Sequence, residues 1–155
     1  MIYLTFDDGP IPEVTDFVID ELARWEAKAT FFCVGDNIKK YPKAYERLLV
    51  EGHRTANHTF NHLKGSKTQS QLYQENVIKC SSFIKDKRQG KELFRPPYGR
   101  LTLRQAFLLR NKYEIVMWNV LSGDFDSGLS NEKCLSNSIR YTKKGAIVVF
   151  HDSVK

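Results

Sequence analysis

Residues 2–10 read Ile2-Tyr3-Leu4-Thr5-Phe6-Asp7-Asp8-Gly9-Pro10, an alternating apolar segment closed by two acids and a Gly-Pro pair. The alternation predicts a short strand, and Gly-Pro predicts the turn that ends it. Both carboxylates are therefore expected at the edge of a sheet. Because adjacent negative charges repel each other, we expect a metal ion on one carboxylate or a cationic side chain beside the other.

The length and charge of the chain limit the classes of protein to consider. Its 155 residues, 41% of them hydrophobic, suffice for one domain with a sizeable core, so we expect a single domain over residues 1–155. A net charge of +6 suits an anionic partner, either a cell-wall polymer or a nucleic acid. The lysines and arginines are spread along the chain, which favours solvated faces, and no aromatic-basic platform for nucleic acid is visible.

The cysteines and the apolar runs give no sign of a disulfide framework or a membrane span. Cys33, Cys80 and Cys134 show no CxxC spacing, so we expect small buried hydrophobic side chains. No run approaches the roughly eighteen apolar residues of a membrane helix. The chain opens in a predicted strand without a signal peptide, which is typical of a chain trimmed to a domain, with any export signal or anchor lying before Met1.

Strand-like apolar runs alternate with helical patterns along the chain. Strands are predicted at residues 2–6, 29–34, 53–57, 93–95, 115–118 and 146–150, and helices from Pro12, at 42–51, around 73–84, at 102–111 and from Ser130 or Asn131 to Thr142. Helical spacing predicts that the first helix buries Val14, Phe17, Val18, Leu22 and Trp25, and the third Tyr73, Val77, Cys80 and Ile84. The alternation implies a mostly parallel sheet or barrel with its active site at the carboxyl ends of the strands.

Several chemically capable side chains follow the predicted strands directly and are therefore expected at one edge: Asp7, Asp8, His58, His62, Arg95 and His151. His53 is expected at the opposite end of its strand, and we assign it no role. In His58-Thr59-Phe60-Asn61-His62, a helical turn would bring both imidazoles to one ion. Such a spacing alone is more often structural, but a carboxylate from the Asp7-Asp8 pair would complete an open site with three protein ligands.

Four motifs together resemble the polysaccharide deacetylases of carbohydrate esterase family four, also called the NodB-homology domain. They are Thr5-Phe6-Asp7-Asp8-Gly9-Pro10, His58-Thr59-Phe60-Asn61-His62, Arg95-Pro96-Pro97-Tyr98-Gly99 and Val149-Phe150-His151-Asp152. The resemblance implies an α/β fold, a distorted (β/α) barrel, in which a divalent metal is bound by Asp8, His58 and His62. It also implies Asp7 as general base, His151 as general acid and the backbone N–H of Tyr98 as an oxyanion donor.

Elementary chemistry agrees with these implied roles. Amide hydrolysis needs an activated water, a base that does not itself hold the metal, and a proton for the leaving amine, which histidine can supply near neutral pH. Arg95 is expected to pair with Asp7 and orient it. An oxyanion donor contributes about 3 kcal/mol. A His-His-Asp set suits Zn²⁺ best, although Co²⁺, Ni²⁺ and Mn²⁺ can also occupy it.

The chain departs from the family in two places. Members commonly have an acid soon after a strand-end tryptophan and then an Asp-Trp pair, whereas residues 118–126 read Trp118-Asn119-Val120-Leu121-Ser122-Gly123-Asp124-Phe125-Asp126. Asp124 is our choice for the carboxylate that orients His151, with Asp126 as the alternative, and Trp118 is expected in the core. The chain also stops at Lys155, so we expect a barrel incomplete at its C-terminal end, with reduced stability or self-association.

The resulting prediction is a metal-dependent hydrolase that removes N-acetyl groups from an N-acetylglucosamine-containing polysaccharide, peptidoglycan or chitin-like, and releases acetate. An O-acetyl xylan esterase, an amidase for small acylated amines and an inactive carbohydrate-binding module remain alternatives. A nucleic-acid partner is not expected. A cell-wall substrate favours the cell envelope or the extracellular space.

Overall fold

The sheet that carries the predicted site is built from short strands separated by helices. The computed structural model describes residues 1–86, 88 and 90–153. Within these residues the strands are β1 (Tyr3–Asp7), β2 (Thr30–Cys33), β3 (Arg54–Asn57), β4 (Glu92–Phe94), β5 (Tyr113–Ile115), β6 (Val120–Leu121) and β7 (Ile147–His151). The helices are α1 (Val14–Arg24), α2 (Gly35–Lys40), α3 (Pro42–Val50), α4 (Ser70–Ser81), α5 (Leu103–Leu109) and α6 (Asn131–Arg140), with short 3-10 turns at Gly65–Lys67 and Pro97–Gly99.

The strands form one parallel sheet in the order β5-β4-β3-β2-β1-β7-β6. Its register places Asp7 beside Phe32 on one side and His151 on the other. Parallel pairing therefore brings the last residues of β1 and β7 to the same edge, as the strand-end pattern predicts. Within the described residues β5 and β6 are the two sheet edges, so the barrel is open between them, in agreement with the expected incomplete closure.

The main core lies between the central strands and helices α1 to α4. It includes Phe31, Tyr45, Leu48 and Phe60, all less than 5% exposed. Cys33 and Cys80 are buried as predicted, whereas Cys134 on α6 is only half-buried, which corrects its assignment. None of the helices in the described residues is long and apolar enough to cross a membrane.

The buried face of α1 differs from the predicted one. Leu22 is buried as expected, but Phe17 and Trp25 are 63% and 81% exposed, and Thr15 and Ile19 are the other buried positions. The two exposed aromatic side chains line a shallow apolar groove together with Leu4 and Phe6 of β1. The apolar side chains of α1 therefore extend around the helix beyond the surface that the sheet buries.

Three elements depart from the predicted boundaries. Helix α2 was not predicted, because its six residues, Gly35–Lys40, are too few to show a helical period. The fifth strand covers Tyr113–Ile115 rather than 115–118, since the carbonyls of Val116 and Met117 accept hydrogen bonds from the Arg95 side chain instead of a neighbouring strand. The two-residue strand β6 was likewise not predicted. Asn131–Arg140 matches its prediction, with Ser130 as the N-cap that accepts from the N–H of Lys133.

Candidate active site

A pocket of about 380 Å³ opens at the carboxyl ends of β1, β3 and β7. Its lining comes from five separate segments of the chain and includes five of the six chemically capable residues that follow the predicted strands. The lining consists of Asp7, Asp8, His58, His62, Lys64, Tyr98, Arg100, Trp118, Leu121, Phe125, Val149 and His151. Most of the residues that the sequence singles out therefore face one cavity, with Arg95 and Asp124 directly behind it.

Asp7 forms a buried ion pair with Arg95. Nη1 of Arg95 donates to Oδ1 of Asp7 over 2.8 Å, and both side chains are at most 5% exposed. The other carboxylate oxygen of Asp7, Oδ2, lies 4.0 Å from Nε2 of His58. Arg95 therefore fixes one oxygen and leaves the second facing the histidines, which is the orientation expected from the sequence.

The Arg95 side chain makes several contacts besides its ion pair with Asp7. Its Nε and Nη2 donate to the carbonyls of Val116 and Met117, its Nη1 also donates to Oγ1 of Thr5, and its guanidinium lies 4.0 Å from the centre of the Phe32 ring. Burial lowers the pKa of Arg95, and the neighbouring Asp7 carboxylate opposes that shift. Because a guanidinium stays charged even after a large downward shift, Asp7 has a permanent counter-charge.

Asp8, His58 and His62 form a compact cluster beside this pair. Oδ1 of Asp8 lies 3.4 Å from Nε2 of His58 and 3.0 Å from Nε2 of His62, and one donor atom from each residue lies within 4.8 Å of the others. Burial by itself raises the pKa of Asp8, but hydrogen bonds and charge from the two histidines hold it well below its ordinary value. One carboxylate and two imidazoles at this spacing fit a single divalent ion.

The orientation of His58 supports the fit to a cation. Its Nδ1 lies 2.8 Å from the carbonyl oxygen of Arg95, and a carbonyl only accepts, so Nδ1 carries the hydrogen. In the neutral ring Nε2 then presents a lone pair towards the Asp8 carboxylate. Two electron-rich atoms that face each other inside a protein are typical of ligands around a metal ion, and the backbone of Arg95 is the kind of partner that orients such a ligand.

The His58–His62 segment is a loop rather than the predicted helical turn. Thr59 and His62 have φ angles of 66° and 54°, which are incompatible with a right-handed helix. The loop is held by Oδ1 of Asn57, which accepts from the N–H of Thr59, and by Oδ1 of Asn76, which accepts from the N–H of Phe60. The imidazoles converge because of these bonds and not because of helical spacing.

On the other side of the pocket His151 pairs with Asp124. Nδ1 of His151 lies 2.7 Å from Oδ1 of Asp124, whose Oδ2 accepts from the backbone N–H of His151. Burial raises the pKa of Asp124, but the hydrogen bonds and charge of His151 lower it below its ordinary value. Asp126, the alternative partner, instead accepts from the N–H of Gly128. The sequence choice of Asp124 therefore agrees with the geometry.

Three aromatic side chains surround the mouth of the pocket. The Tyr98 ring is exposed and lies 4.9 Å from the His62 ring, and its φ of 60° belongs to the 3-10 turn at Pro97–Gly99. Phe125 meets His151 edge-on at 5.3 Å. Trp118 is half-buried and lines the pocket, so its expected place in the core is only partly correct.

Sequence reasoning missed Asp152 as a structural support of the site. This buried carboxylate accepts from the N–H of Gly9 and from the hydroxyl of Thr15, while its own N–H donates to the carbonyl of Asp7. A Cβ atom on Gly9 would collide with Asp152, which explains why glycine follows the two acids. The available signal was an acid placed directly after an apolar strand, where a surface position would otherwise be expected.

Comparison with known proteins agrees with this geometry. The family described as polysaccharide deacetylase matches residues 1–116. A peptidoglycan-N-acetylglucosamine deacetylase from Bacillus cereus is 32% identical over 98% of this chain and 56% of that protein, and a chitooligosaccharide deacetylase from a Bradyrhizobium species is 32% identical over 97% and 70%. The structure of the peptidoglycan deacetylase PdaC from Bacillus subtilis superimposes with a TM-score of 0.88, at 27% identity over 100% of this chain and 76% of that one.

The region matched by the family ends at residue 116 and includes the pocket residues from Asp7 to Arg100. The two relatives cover 98% and 97% of the chain. The chain spans 56% of the length of the Bacillus cereus relative. The parallel sheet, the cluster of Asp8, His58 and His62, and the match over three quarters of the chain agree with one another. The chain belongs to the polysaccharide deacetylase family.

Proposed function

We propose that residues 1–155 form a single catalytic domain that removes N-acetyl groups from a polymer containing N-acetylglucosamine and releases acetate. The observation that carries this proposal is the juxtaposition of two charged pairs, Asp7–Arg95 and Asp124–His151, around the cluster of Asp8, His58 and His62. The named activities of the Bacillus cereus and Bradyrhizobium relatives support peptidoglycan or chitin-like substrates.

Asp8, His58 and His62 would hold one divalent metal ion, for which Zn²⁺ is the first choice from the ligand types, with Co²⁺, Ni²⁺ and Mn²⁺ as the others. When bound, the ion supplies Lewis-acid chemistry, which polarises the acetyl carbonyl and acidifies water. His58 contributes through Nε2, because its Nδ1 is committed to the carbonyl of Arg95. His62 is less buried and forms the part of the cluster nearest the mouth of the pocket.

Asp7 is the proposed general base. Its Oδ1 is committed to Arg95, and its Oδ2 faces the cluster, so this second oxygen is placed to take a proton from the attacking water. Adjacent Asp8 would hold the ion, which divides the work between the two neighbouring carboxylates. Arg95 acts as a positioning residue that holds the Asp7 side chain through a buried ion pair.

His151 is the proposed general acid. Because Nδ1 bonds to Asp124, the other ring nitrogen, Nε2, is left to give a proton to the departing amine. Asp124 orients the ring through this bond. The backbone N–H of Tyr98, which lies in a turn next to His62, is the proposed donor to the oxyanion.

The test is acetate release from penta-N-acetylchitopentaose and from peptidoglycan, with and without added Zn²⁺ or Co²⁺. We expect metal-dependent release that falls by roughly 10³-fold in Asp7→Asn, because a positioned base contributes about that much. Asp20→Asn serves as a matched control, since Asp20 pairs with Arg47 on an exposed surface far from the pocket. It should keep full activity.

The other outcomes separate the alternatives. Release only from acetylated xylan would indicate an O-acetyl esterase, and equal rates on a monomer and a pentamer would indicate an amidase for small molecules. Binding of one metal ion and of glycan without any release would indicate a carbohydrate-binding module. Any of these results would contradict the proposed deacetylase.

A further inference from the structure

Two cationic side chains, Lys64 and Arg100, line the pocket together with the proposed catalytic groups. Lys64 is half-buried, and its Nζ lies 5.3 Å from the centre of the Tyr98 ring. Arg100 is exposed and follows the turn that carries Tyr98. Both charges therefore line the pocket that the exposed Tyr98 ring also lines, and Lys64 lies close to that ring.

The segments that carry these two cations are fixed against each other. The buried side chain of Gln105 donates through Nε2 to the carbonyls of Gly65 and Thr68 and accepts through Oε1 from the N–H of Thr102. Gly65, which follows Lys64, packs so closely that a Cβ atom there would lie 2.6 Å from the carbonyl oxygen of Arg100. The backbone positions of both cations are therefore set before any ligand binds, which lowers the entropic cost of using them.

Neither cation is neutralised by the protein. Within the described residues no carboxylate lies within 4.0 Å of the Lys64 or Arg100 side-chain nitrogens. The two acids of the pocket have other partners, since Asp7 pairs with Arg95 and Asp8 lies against the two histidines. Four further lining residues are apolar or aromatic and carry no charge: Trp118, Leu121, Phe125 and Val149. Positive charge at the mouth is therefore available to a ligand.

We propose that Lys64 and Arg100 select glycans that carry a carboxylate close to the acetylated nitrogen over neutral glycans of the same length. This inference rests on the proposed deacetylase function and names the substrate class of that site. Peptidoglycan carries such carboxylates on the lactyl group where no peptide is attached and on the peptide where one is attached, whereas chitin oligomers carry none. The exposed Tyr98 ring offers a surface for a sugar face, and the two cations beside it complement an acidic substituent.

The experiment compares two tetrasaccharides of equal length, tetra-N-acetylchitotetraose and the alternating tetramer of N-acetylglucosamine and N-acetylmuramic acid. The quantity measured is the ratio of kcat/KM for the acidic substrate to kcat/KM for the neutral one, with Zn²⁺ present. The double variant Lys64→Gln/Arg100→Gln should lower this ratio by roughly fivefold, the size expected for two solvent-exposed charge contacts. Raising the salt concentration should lower the ratio of the unaltered protein in the same direction.

A matched control removes the same two charges elsewhere. Lys43 and Lys144 are exposed and do not line the pocket, so Lys43→Gln/Lys144→Gln changes the net charge equally and should leave the ratio unaltered. A third substrate, the acidic glycan with peptides attached, distinguishes the two carboxylate sources. In this substrate each lactyl carboxyl is joined to a peptide as an amide, so only the peptide carboxylates carry charge. A ratio that is kept or raised would assign the contact to the peptide carboxylates, and a ratio that falls to that of the neutral glycan would assign it to the free lactyl group.

Failure of this inference differs from failure of the proposed function. Turnover of both tetrasaccharides with the same ratio in the double variant and the unaltered protein would overturn the selection and leave the deacetylase intact. Where no substrate is turned over, calorimetric affinities of Asp7→Asn for the same two tetrasaccharides decide the question. Equal affinities for the acidic and neutral forms would overturn the inference, and a preference lost in the double variant would support it.

Discussion

Two charged pairs at the same sheet edge differ in how deeply they are placed. In Asp7–Arg95 both side chains are at most 5% exposed, while in Asp124–His151 the histidine is 13% and the acid 21% exposed. Arg95 bonds to three further groups of the protein, whereas His151 keeps one ring nitrogen towards the pocket. The burial of Asp7–Arg95 suits a fixed charge. The partial exposure of Asp124–His151 suits a proton that must be exchanged with solvent.

This difference matches the proposed roles. A base that acts on water near the metal cluster benefits from one fixed orientation. The buried guanidinium of Arg95 provides that orientation for Asp7. A general acid must be reprotonated in every cycle, and partial exposure allows that. The contrast therefore predicts that changes to the first pair affect folding and activity together, while changes to the second affect activity alone.

The largest expected effect comes from Arg95→Met. This change leaves the Asp7 carboxylate buried without a counter-charge, so we expect a loss of about 3 to 5 kcal/mol in the free energy of unfolding. Urea denaturation followed by circular dichroism would measure it. The double variant Arg95→Met/Asp7→Asn should recover part of the loss, because it removes the stranded charge. A loss below about 1 kcal/mol in Arg95→Met would contradict the buried-pair assignment.

The second prediction concerns metal removal at the cluster between the two pairs. Zn²⁺ at about 100 times its dissociation constant should raise the free energy of unfolding by about 2.7 kcal/mol, and a chelator should reverse the gain. His62→Gln should abolish this increase. His53→Gln is the control, since His53 lies outside the cluster and accepts from the N–H of Ala29. A Zn²⁺-dependent shift that persists in His62→Gln would place the ion elsewhere.

Asp124→Asn tests the exposed pair. The neutral amide makes a weaker hydrogen bond to Nδ1 of His151 and orients the ring less strictly, so kcat should fall by about 10²-fold, while the free energy of unfolding should change by less than about 1 kcal/mol. Steady-state acetate release and thermal melting measure the two quantities. The neighbouring Asp126→Asn removes the same charge and should change neither. Equal losses of activity in Asp124→Asn and Asp126→Asn would contradict the proposal that Asp124 orients His151.

The smallest effect is a pH dependence at Asp152 beneath the buried pair. Burial raises the pKa of Asp152 from 3.8 to about 8, although hydrogen bonds from Thr15 and Gly9 oppose the shift. Between these two values the folded protein binds a proton that the unfolded chain has released, so this group reduces stability as the pH rises. Asp152→Asn cannot ionise and can keep the bond from Gly9. Its stability relative to the unaltered protein should therefore increase by about 1 kcal/mol per pH unit between about pH 5 and 7.

Denaturation of both proteins at several pH values measures this difference. A difference that stays constant with pH would show that Asp152 has the same pKa in the folded and unfolded chains. That result would restrict the comparison to the two charged pairs, Asp7–Arg95 and Asp124–His151.

Much of the fold was predictable because its signals are local. Apolar runs marked β1, β2, β3 and β7, and Ser130 marked the start of α6. The errors came where tertiary contacts decide. Val116 and Met117 are not part of β5 because Arg95 takes their carbonyls, and Phe17 on α1 is exposed because the sheet does not cover that face.

The site shows the same division. Its reactive residues were identifiable from the types of side chain that follow strands, but their supports were not. Asn76 and Asp152 hold loops through side-chain bonds to backbone groups far away in sequence, and Asn57 holds the N–H of Thr59 two residues on. Lys64 and Arg100 gave no signal either, since a pocket lining depends on which loops are packed side by side.

By itself the sequence determined the parallel α/β arrangement and the identity of the acids, histidines and arginine at its carboxyl edge, because strand periodicity and strand-end placement are properties of neighbouring residues. The pairings Asp7–Arg95 and Asp124–His151 were expected from the sequence, but only the tertiary structure fixed their geometry. It alone decided that a loop rather than a helix aims His58 and His62. The physical reason is that hydrogen bonds and ion pairs form between groups that only the folded backbone brings within about 3 Å.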